Sequence, residues 1–333
     1  MKGSSDKINW GILGPGNIAA LFAEDLQKVH NARLYACAST QIERATEFGQ
    51  KFDIPFVYGS YAAMLNNPNL DVVYIATPHV FHYENTLQCL KAGKAVLCEK
   101  PFGINTAQVN EMIALATSKN LFLMEAMWTR FLPHFQLVLD IVKNQQLGAL
   151  RTVEADFGID VPFDAHSRMH DKSLGGGSLL DVGIYPVFAA LMFMGKPDSV
   201  EATANFSKTK VDLDCQITFE YKDGRQAKLF SAMNQETPTT ATLYFERGKI
   251  LMNSRFHQPS TVTIKDDQGS KTHDFGYQTH GYFYEAQHVT SCLQNRQKAS
   301  ELMSHELSLL LISTLDAIRD KIGLIYSADE AIL

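Results

Sequence analysis

The run Ile8–Leu13, followed directly by Gly14-Pro15-Gly16-Asn17-Ile18-Ala19, constrains this chain more than any other feature. An apolar strand turns on two closely spaced glycines into an amphipathic stretch, Ile18–Val29. That is the strand–turn–helix of a dinucleotide-binding fingerprint in its G-x-G-x-x-A form. Gly14 permits the tight turn. Gly16 leaves no side chain where the backbone must approach a pyrophosphate. Ala19 lets helix and strand pack closely. Asn17 and Ile18 open the helix, whose free N–H groups and partial positive charge suit phosphates.

The alternation continues. Ala32–Ala38, Asp71–Ala76, Ala95–Glu99 and Leu121–Glu125 read as strands, and Ile42–Phe52, Phe81–Lys91 and Ala107–Ser118 as helices. Such alternation predicts right-handed βαβ crossovers and a doubly wound parallel sheet, an α/β fold. Beyond about residue 127 the pattern changes. A helix candidate, Phe131–Gln146, precedes a long strand, Leu150–Ile159. Gly175-Gly176-Gly177 leads into a helical stretch, Leu179–Met194. Alternating segments follow at Val200–Phe206, Cys215–Tyr221, Gln226–Met233, Thr240–Phe245, Lys249–Met252 and Thr261–Ile264, and two helices close the chain. Tight turns between strands predict a mainly antiparallel sheet. The reading is a dinucleotide-binding domain over 1–127 and an α+β substrate domain over 128–333. With helices on one face only, the second sheet is open-faced. Its uncovered side is expected to be apolar and to pair two copies into a homodimer.

The tip of strand two selects between cofactors. A carboxylate there would bond the ribose 2′-hydroxyl of NAD and repel a 2′-phosphate. Here the residues are Ser39, Thr40 and Gln41, with Arg44 one helical turn on. Two hydroxyls and a guanidinium favour NADP. Three further segments fall at strand ends, where open α/β sheets bind ligands: Ala76-Thr77-Pro78-His79, Cys98-Glu99-Lys100-Pro101 and Glu125-Ala126-Met127-Trp128-Thr129-Arg130. His82 lies just beyond the first. A Glu99-Lys100 pair at the mouth of a nucleotide site reads either as a surface ion pair or as a lysine fixed beside the nicotinamide.

These segments together resemble the Gfo/Idh/MocA oxidoreductase family. The opening Trp10–Ala19, the Thr77-Pro78-His79 and Glu99-Lys100-Pro101 segments, Leu123–Phe131 and Gly175–Tyr185 carry the resemblance. It points to the branch containing dimeric dihydrodiol dehydrogenase and NADP-dependent D-xylose 1-dehydrogenase. The resemblance implies an N-terminal Rossmann domain. It also implies that Lys100 contacts cofactor and substrate, that the Lys100–Pro101 bond is cis, and that Tyr185 is the acid/base. Asp181, four residues earlier, would share a helix face with Tyr185. Many relatives carry histidine at the tyrosine position, so this chain departs from the inositol-dehydrogenase type of site. A lysine cation near a phenol favours the phenolate and makes tyrosine a usable base. Trp128 and Phe157 are candidate pocket walls, and Arg130 and Arg168 candidate contacts to substrate or cofactor oxygens.

Other classes fit less well. Lys+Arg is 30 and Asp+Glu 36, a net charge of −6, without the basic footprint of a nucleic-acid or anionic-membrane binder. Met1–Asp6 is polar, the apolar run Phe188–Met194 is short, and five scattered cysteines form no C-x-x-C pair. These features predict a reduced, cytoplasmic protein. His79-x-x-His82 and His166-x-x-x-His170 have metal spacing, but no further ligand completes either, so no metal is expected. An NADPH-sensing regulator without turnover is the alternative to an enzyme. It has no use for a lysine, a tyrosine and an aspartate of this kind. A glycosidase using bound NAD would want the strand-two carboxylate that is missing here.

Overall fold

The computed structural model describes residues 7–330, so the polar Met1–Asp6 segment lies outside it. The chain divides into two compact units, 1–128 with 278–309 and 129–277 with 310–333.

The first unit contains β1 (Ile8–Leu13), α1 (Asn17–Leu26), β2 (Ala32–Ala38), α2 (Ile42–Lys51), β3 (Phe56–Tyr58), α3 (Tyr61–Leu65), β4 (Val72–Ile75), α4 (His82–Lys91), β5 (Ala95–Glu99), α5 (Thr106–Ser118) and β6 (Leu123–Ala126). Its six strands are parallel in the order β3-β2-β1-β4-β5-β6, the doubly wound dinucleotide-binding arrangement. Strands β1, β4, β5 and β6 are buried at every residue, as a sheet covered on both faces requires. Strand β3, within a stretch the sequence reading leaves as a connection, forms the edge beside β2.

The second unit contains α6 (Pro133–Lys143), β7 (Leu150–Gly158), α7 (Ile184–Met194), β8 (Ser199–Phe206), β9 (Asp212–Glu220), β10 (Gln226–Ala232), β11 (Ala241–Phe245), β12 (Gly248–Met252), β13 (Val262–Asp266) and β14 (Gly269–His273). The eight strands run β14-β13-β12-β11-β7-β10-β9-β8, antiparallel except for the β7–β10 pair. Helix α7 is apolar nearly all round and almost wholly buried, the pattern of a central helix. Among the described residues, one stretch is long and apolar enough to cross a membrane, Lys172–Met194, and 94% of its apolar window is buried within the protein.

One face of this sheet, with Val153, Ala155, Ala227, Leu229, Ile217, Phe219, Leu243 and Ile250, is buried. The other carries Thr152, Glu154, Thr242, Tyr244, Gln216, Thr218, Lys228, Phe230 and Leu251. The expected apolar exposed face is therefore a mixed one. Threonines and charges alternate with half-buried Phe230 and Leu251.

After β14 come α8 (Tyr282–Gln294), α9 (His305–Ile322) and α10 (Ser327–Glu330). The sequence reading gives everything after 127 to the second domain, whereas residues 278–309 pack with the first unit. The reason is chemical. Asp25, fully buried at the end of α1, accepts the His280 N–H at 3.1 Å and the Phe283 N–H at 3.1 Å. It thereby satisfies otherwise orphaned donors at the start of α8, whose own cap residue, Gly281, has no side chain. The Trp10 indole N–H reaches Thr290 Oγ1 at 3.3 Å on the same helix.

Replacing Asp25 by Ala removes both acceptors from a buried helix start. The first unit should lose about 2–4 kcal/mol. Both tryptophans, Trp10 and Trp128, lie in this unit. Urea unfolding followed by tryptophan fluorescence reads the loss directly, and an unchanged midpoint would show that Asp25 is dispensable.

Candidate active site

In the first unit the candidate cofactor residues collect where β1, β2, β4 and β5 end. Gly14 has φ +86°, and a Cβ there would lie 2.8 Å from the Thr77 methyl. The glycine is thus required both by conformation and by contact. At Gly16 a Cβ would meet nothing within 4 Å, so the space beside this backbone is open. Gly16 caps α1 without any side-chain hydrogen bond, which leaves the first N–H groups of a ten-residue helix for a ligand. Asn17 and Ile18 in its first turn are exposed. An open glycine turn against an uncapped helix fits the pyrophosphate of a dinucleotide.

Ser39 is buried, and its Oγ accepts the Gln41 N–H at 3.1 Å. Thr40 and Arg44 are exposed. Thr77 Oγ1 takes a hydrogen bond from Asn85 at 3.0 Å, and Pro78 precedes a single 3₁₀ turn, His79–Phe81. The His79 ring is buried and lies edge-on to His82. His82 is completely buried. Its Nδ1 lies 2.7 Å from the Pro101 carbonyl and its Nε2 2.8 Å from the Thr77 carbonyl. A neutral imidazole donates from one nitrogen only, so the ring packs between two of the strand-end loops and bonds one of the two carbonyls at a time. Burial pulls its pKa down to about 4, helped by charge on His79 and Lys100.

Lys100 sits in a segment held by carboxyl groups. Glu99 accepts the Tyr74 hydroxyl on one oxygen and the Lys100 backbone N–H, at 3.2 Å, on the other. Tyr74 is itself stacked on Phe22. Glu125 on β6 accepts the Phe102 N–H at 3.1 Å. The Lys100–Pro101 bond is cis, as the family resemblance implies. Burial raises the Glu125 carboxyl to about 7, against hydrogen bonds from Ser308 and Phe102 that lower it. Glu285, on α8, is fully buried, and burial together with Glu99 and Asp25 drives its carboxyl well above the usual range. Trp128, expected as a pocket wall, is 5% exposed and stacks flat on Tyr282, with centroids 4.3 Å apart and 3° between planes.

The second unit brings together the other candidates. The expected α-helix over 179–194 begins instead with a π-helical turn, Leu179–Gly183. Pro186 has no N–H for the Val182 carbonyl and crowds it, and a wider turn just before it relieves that conflict. Asp181 lies in this turn and Tyr185 in the first turn of α7. Arg168 donates to both oxygens of Asp181, at 3.1 and 3.3 Å. The Asp181 charge raises the arginine's pKa.

The turn is anchored from below by Asp212. This residue is fully buried and accepts the Leu179 N–H at 2.6 Å and the Ser178 hydroxyl at 2.8 Å. Tyr185 is nearly buried against Phe157 and His257, at centroid distances of 5.7 and 4.8 Å. Arg130 is half-buried, its carbonyl accepting from Gln136, and burial lowers its pKa. His257 is the residue that sequence reasoning missed. It follows no strand end or glycine turn, and only the fold brings it to Tyr185.

Residues 8–127 match the model of the Gfo/Idh/MocA oxidoreductase family, NAD-binding Rossmann fold, and residues 135–251 match the Gfo/Idh/MocA C-terminal domain. The chain is 35% identical to the trans-1,2-dihydrobenzene-1,2-diol dehydrogenase of Sus scrofa, over 97% of its own length and 99% of the relative's. Its identity to the Homo sapiens enzyme of that name is also 35%, over 97% and 99%. Among solved structures, a 3-ketoreductase from Actinomadura kijaniata in complex with NADP and TDP-benzene superposes with a TM-score of 0.85. It is 26% identical, over 95% of this chain and 98% of that one. An aldose-aldose oxidoreductase from Caulobacter crescentus, complexed with glycerol, shares the fold with a TM-score of 0.87 at 24% identity, over 95% and 98%.

The buried Glu125 gives a pH dependence of defined sign. Its folded pKa, about 7, lies above the ordinary value of 4.5. Its contribution is therefore fully present below pH 4.5 and is lost as pH rises to 7, by about 3 kcal/mol in all. Glu125→Gln keeps an acceptor for Phe102 and cannot ionise. Relative to wild type it should gain about 2–3 kcal/mol between pH 5 and pH 8 in urea unfolding. A constant difference across that range would show that the carboxyl is ionised in the folded protein.

Proposed function

The chain belongs to the Gfo/Idh/MocA oxidoreductase family and is a dehydrogenase with an NAD(P)-binding Rossmann domain, and from that premise we propose an NADP-dependent enzyme that oxidises a hydroxyl-bearing carbon of a cyclic polyol, a sugar or a dihydrodiol, or reduces the corresponding carbonyl. In this reading Tyr185 is the acid/base, Lys100 assists it and Asp181 orients a substrate hydroxyl. The observation that carries it is the mooring of Lys100. Glu99 fixes its backbone at the same sheet edge as the open, uncapped glycine turn. The relatives named for a dihydrodiol, and the neighbour named for ketone reduction, support the substrate class.

The chemistry NADP supplies when bound is hydride exchange at nicotinamide C4. Gly14, Gly16, Asn17 and Ile18 hold the pyrophosphate. Exposed Thr40 and Arg44 receive the 2′-phosphate, with Ser39 shaping the turn beneath them. Thr77, Pro78, His79 and Glu99 line the remaining strand ends, and His82 packs between the Thr77 and Pro101 loops. On the second unit Tyr185 takes the hydroxyl proton in oxidation and returns it in reduction. An unassisted phenol titrates near pH 10, so the Lys100 cation is needed to favour the phenolate at neutral pH. Arg168 holds Asp181 in place through two hydrogen bonds, and Arg130, Trp128 and Phe157 complete the substrate side. The five cysteines are buried and unbridged, which fits the cytoplasm.

A panel of sugars and diols, assayed by NADPH absorbance with NADP and separately with NAD, tests this reading. Tyr185→Phe should lower kcat by about 10²–10⁴ with NADP affinity retained. Lys100→Met should lower kcat and also weaken NADP. The double variant should lose much less than the product of the two, because the residues act as one unit. A wild-type protein that binds NADPH and turns over nothing in the panel would instead be a sensor.

We also propose a homodimer through the mixed open face of the second sheet, supported by half-buried Phe230 and Leu251 on that face. Sedimentation velocity should give a dimer at micromolar concentration, and a monomer there would remove the proposal.

A further inference from the structure

The Arg168–Asp181 pair joins two segments of the second unit, and between them the chain runs through Gly175-Gly176-Gly177. Successive glycines make the most compliant backbone a chain can have. A bidentate pair across such a stretch keeps one geometry only if each of its ends is held separately. The Asp181 end is held by Asp212, through the Ser178 hydroxyl and the Leu179 N–H.

The Arg168 end is held through Gly176. A Cβ on Gly176 would lie 2.5 Å from the Met169 carbonyl oxygen and 2.7 Å from that of Arg168, so the two stretches of backbone are in direct contact. The Gly177 N–H donates to the Met169 carbonyl at 2.9 Å, and the Gly176 N–H to the Asp171 carbonyl at 3.0 Å. The Gly176 carbonyl in turn accepts the Tyr326 hydroxyl at 2.7 Å. Tyr326 lies in the link between α9 and α10 and is 1% exposed. Its own place is fixed. Its N–H donates to Asp329 at 2.8 Å. The Arg319 guanidinium lies 5.4 Å from the ring centroid and bonds both Asp329 and Asp316 at 2.6 Å. A phenylalanine would fill the same space without the cost of burying a phenol, so packing explains the ring and not the hydroxyl. Burial and the Asp212 charge push the phenol well above its usual pKa, which keeps it a donor.

We propose that Tyr326 is a positioning residue: its hydroxyl, through Gly176, holds the backbone at Arg168 where the guanidinium meets Asp181 in the geometry that aims the carboxylate at substrate. This rests on Asp181 orienting a substrate hydroxyl. Asp212 and Tyr326 then form two separate tethers, one for each end of the pair. The effect of Tyr326 passes through Arg168, so it disappears when the arginine side chain is gone.

The test uses D-xylose and trans-1,2-cyclohexanediol, oxidised with NADP by wild type, Asp181→Ala, Arg168→Ala, Tyr326→Phe and the Arg168→Ala/Tyr326→Phe double variant. Tyr326→Phe keeps the ring beside Arg319 and loses the tether. It should lower kcat about 5- to 30-fold and leave the KM for NADP within about twofold, because a small misplacement is felt in the chemical step. Arg168→Ala should lower kcat at least as far, and adding Tyr326→Phe to it should cost less than about twofold more. Hydrogen exchange on the protein without ligand gives a second readout. Amides 168–177 should exchange faster in Tyr326→Phe, with the first unit at wild-type rates. A lowered urea midpoint with unchanged kcat would make Tyr326 merely structural and overturn the proposal, as would losses that multiply in the double variant. Failure of the underlying reading looks different: Asp181→Ala would keep the wild-type kcat, or wild type would turn over neither probe, and the proposal would fall with it.

Discussion

A parallel strand cannot be followed by a hairpin. It needs a crossover, and every crossover returns the chain to start the next strand in the same direction. All strands of the first unit consequently end on one edge, and each candidate nucleotide residue is placed there by the same constraint. Gly14 and Gly16 follow β1, Thr40 follows β2, Thr77 follows β4 and Lys100 follows β5. Local chemistry then fixes the loops. His82 packs between the carbonyls of Thr77 and Pro101, and Glu99 and Glu125 receive backbone N–H groups on either side of Pro101. The loops are short and gripped by buried side chains, so their positions are inherited from the sheet.

The second unit solves a different problem. Its mainly antiparallel sheet offers no common edge, and the candidates Asp181 and Tyr185 lie in the π-helical turn and the first turn of α7. Asp212 receives the start of the π-helical turn, and the fit is close: a Cβ on Gly177 would lie 2.1 Å from the Asp212 carboxylate. Burial raises the Asp212 carboxyl to about 7. The turn that carries the candidates Asp181 and Tyr185 thus starts on a buried acid, through the Ser178 hydroxyl and the Leu179 N–H.

Much of the first unit was legible because its signals are local. A glycine turn between a strand and a helix, and apolar runs at crossover spacing, are properties of neighbouring residues. What escaped the reading depends on distant partners. Strand β3 is three residues long and is a strand only because β2 lies beside it. The parallel β7–β10 pair joins segments some 70 residues apart, so turn signals between consecutive strands do not report it. The π-helical turn before Pro186 left a trace in the proline itself, but the apolar run around it masks the change of pitch. His257 and the capping role of Asp25 had no trace, because nothing near either residue in sequence names its partner. The open face of the second sheet, expected to be apolar, is mixed. The threonines and charges that alternate along its strands were visible, but their register across strands was not.

The chain passes from the first unit to the second after residue 128, returns at 278 and leaves again after 309. During synthesis the six-stranded sheet therefore emerges well before the helix that covers it. Trp10 waits 280 residues for Thr290. Contacts of such long range are slow to close, and the apolar surface they will cover stays exposed meanwhile. Between the exit of β6 and that of α8, that surface has no cover from its own chain. Cutting the gene at the visible change of pattern near residue 127 would leave the nucleotide-binding half without its cover.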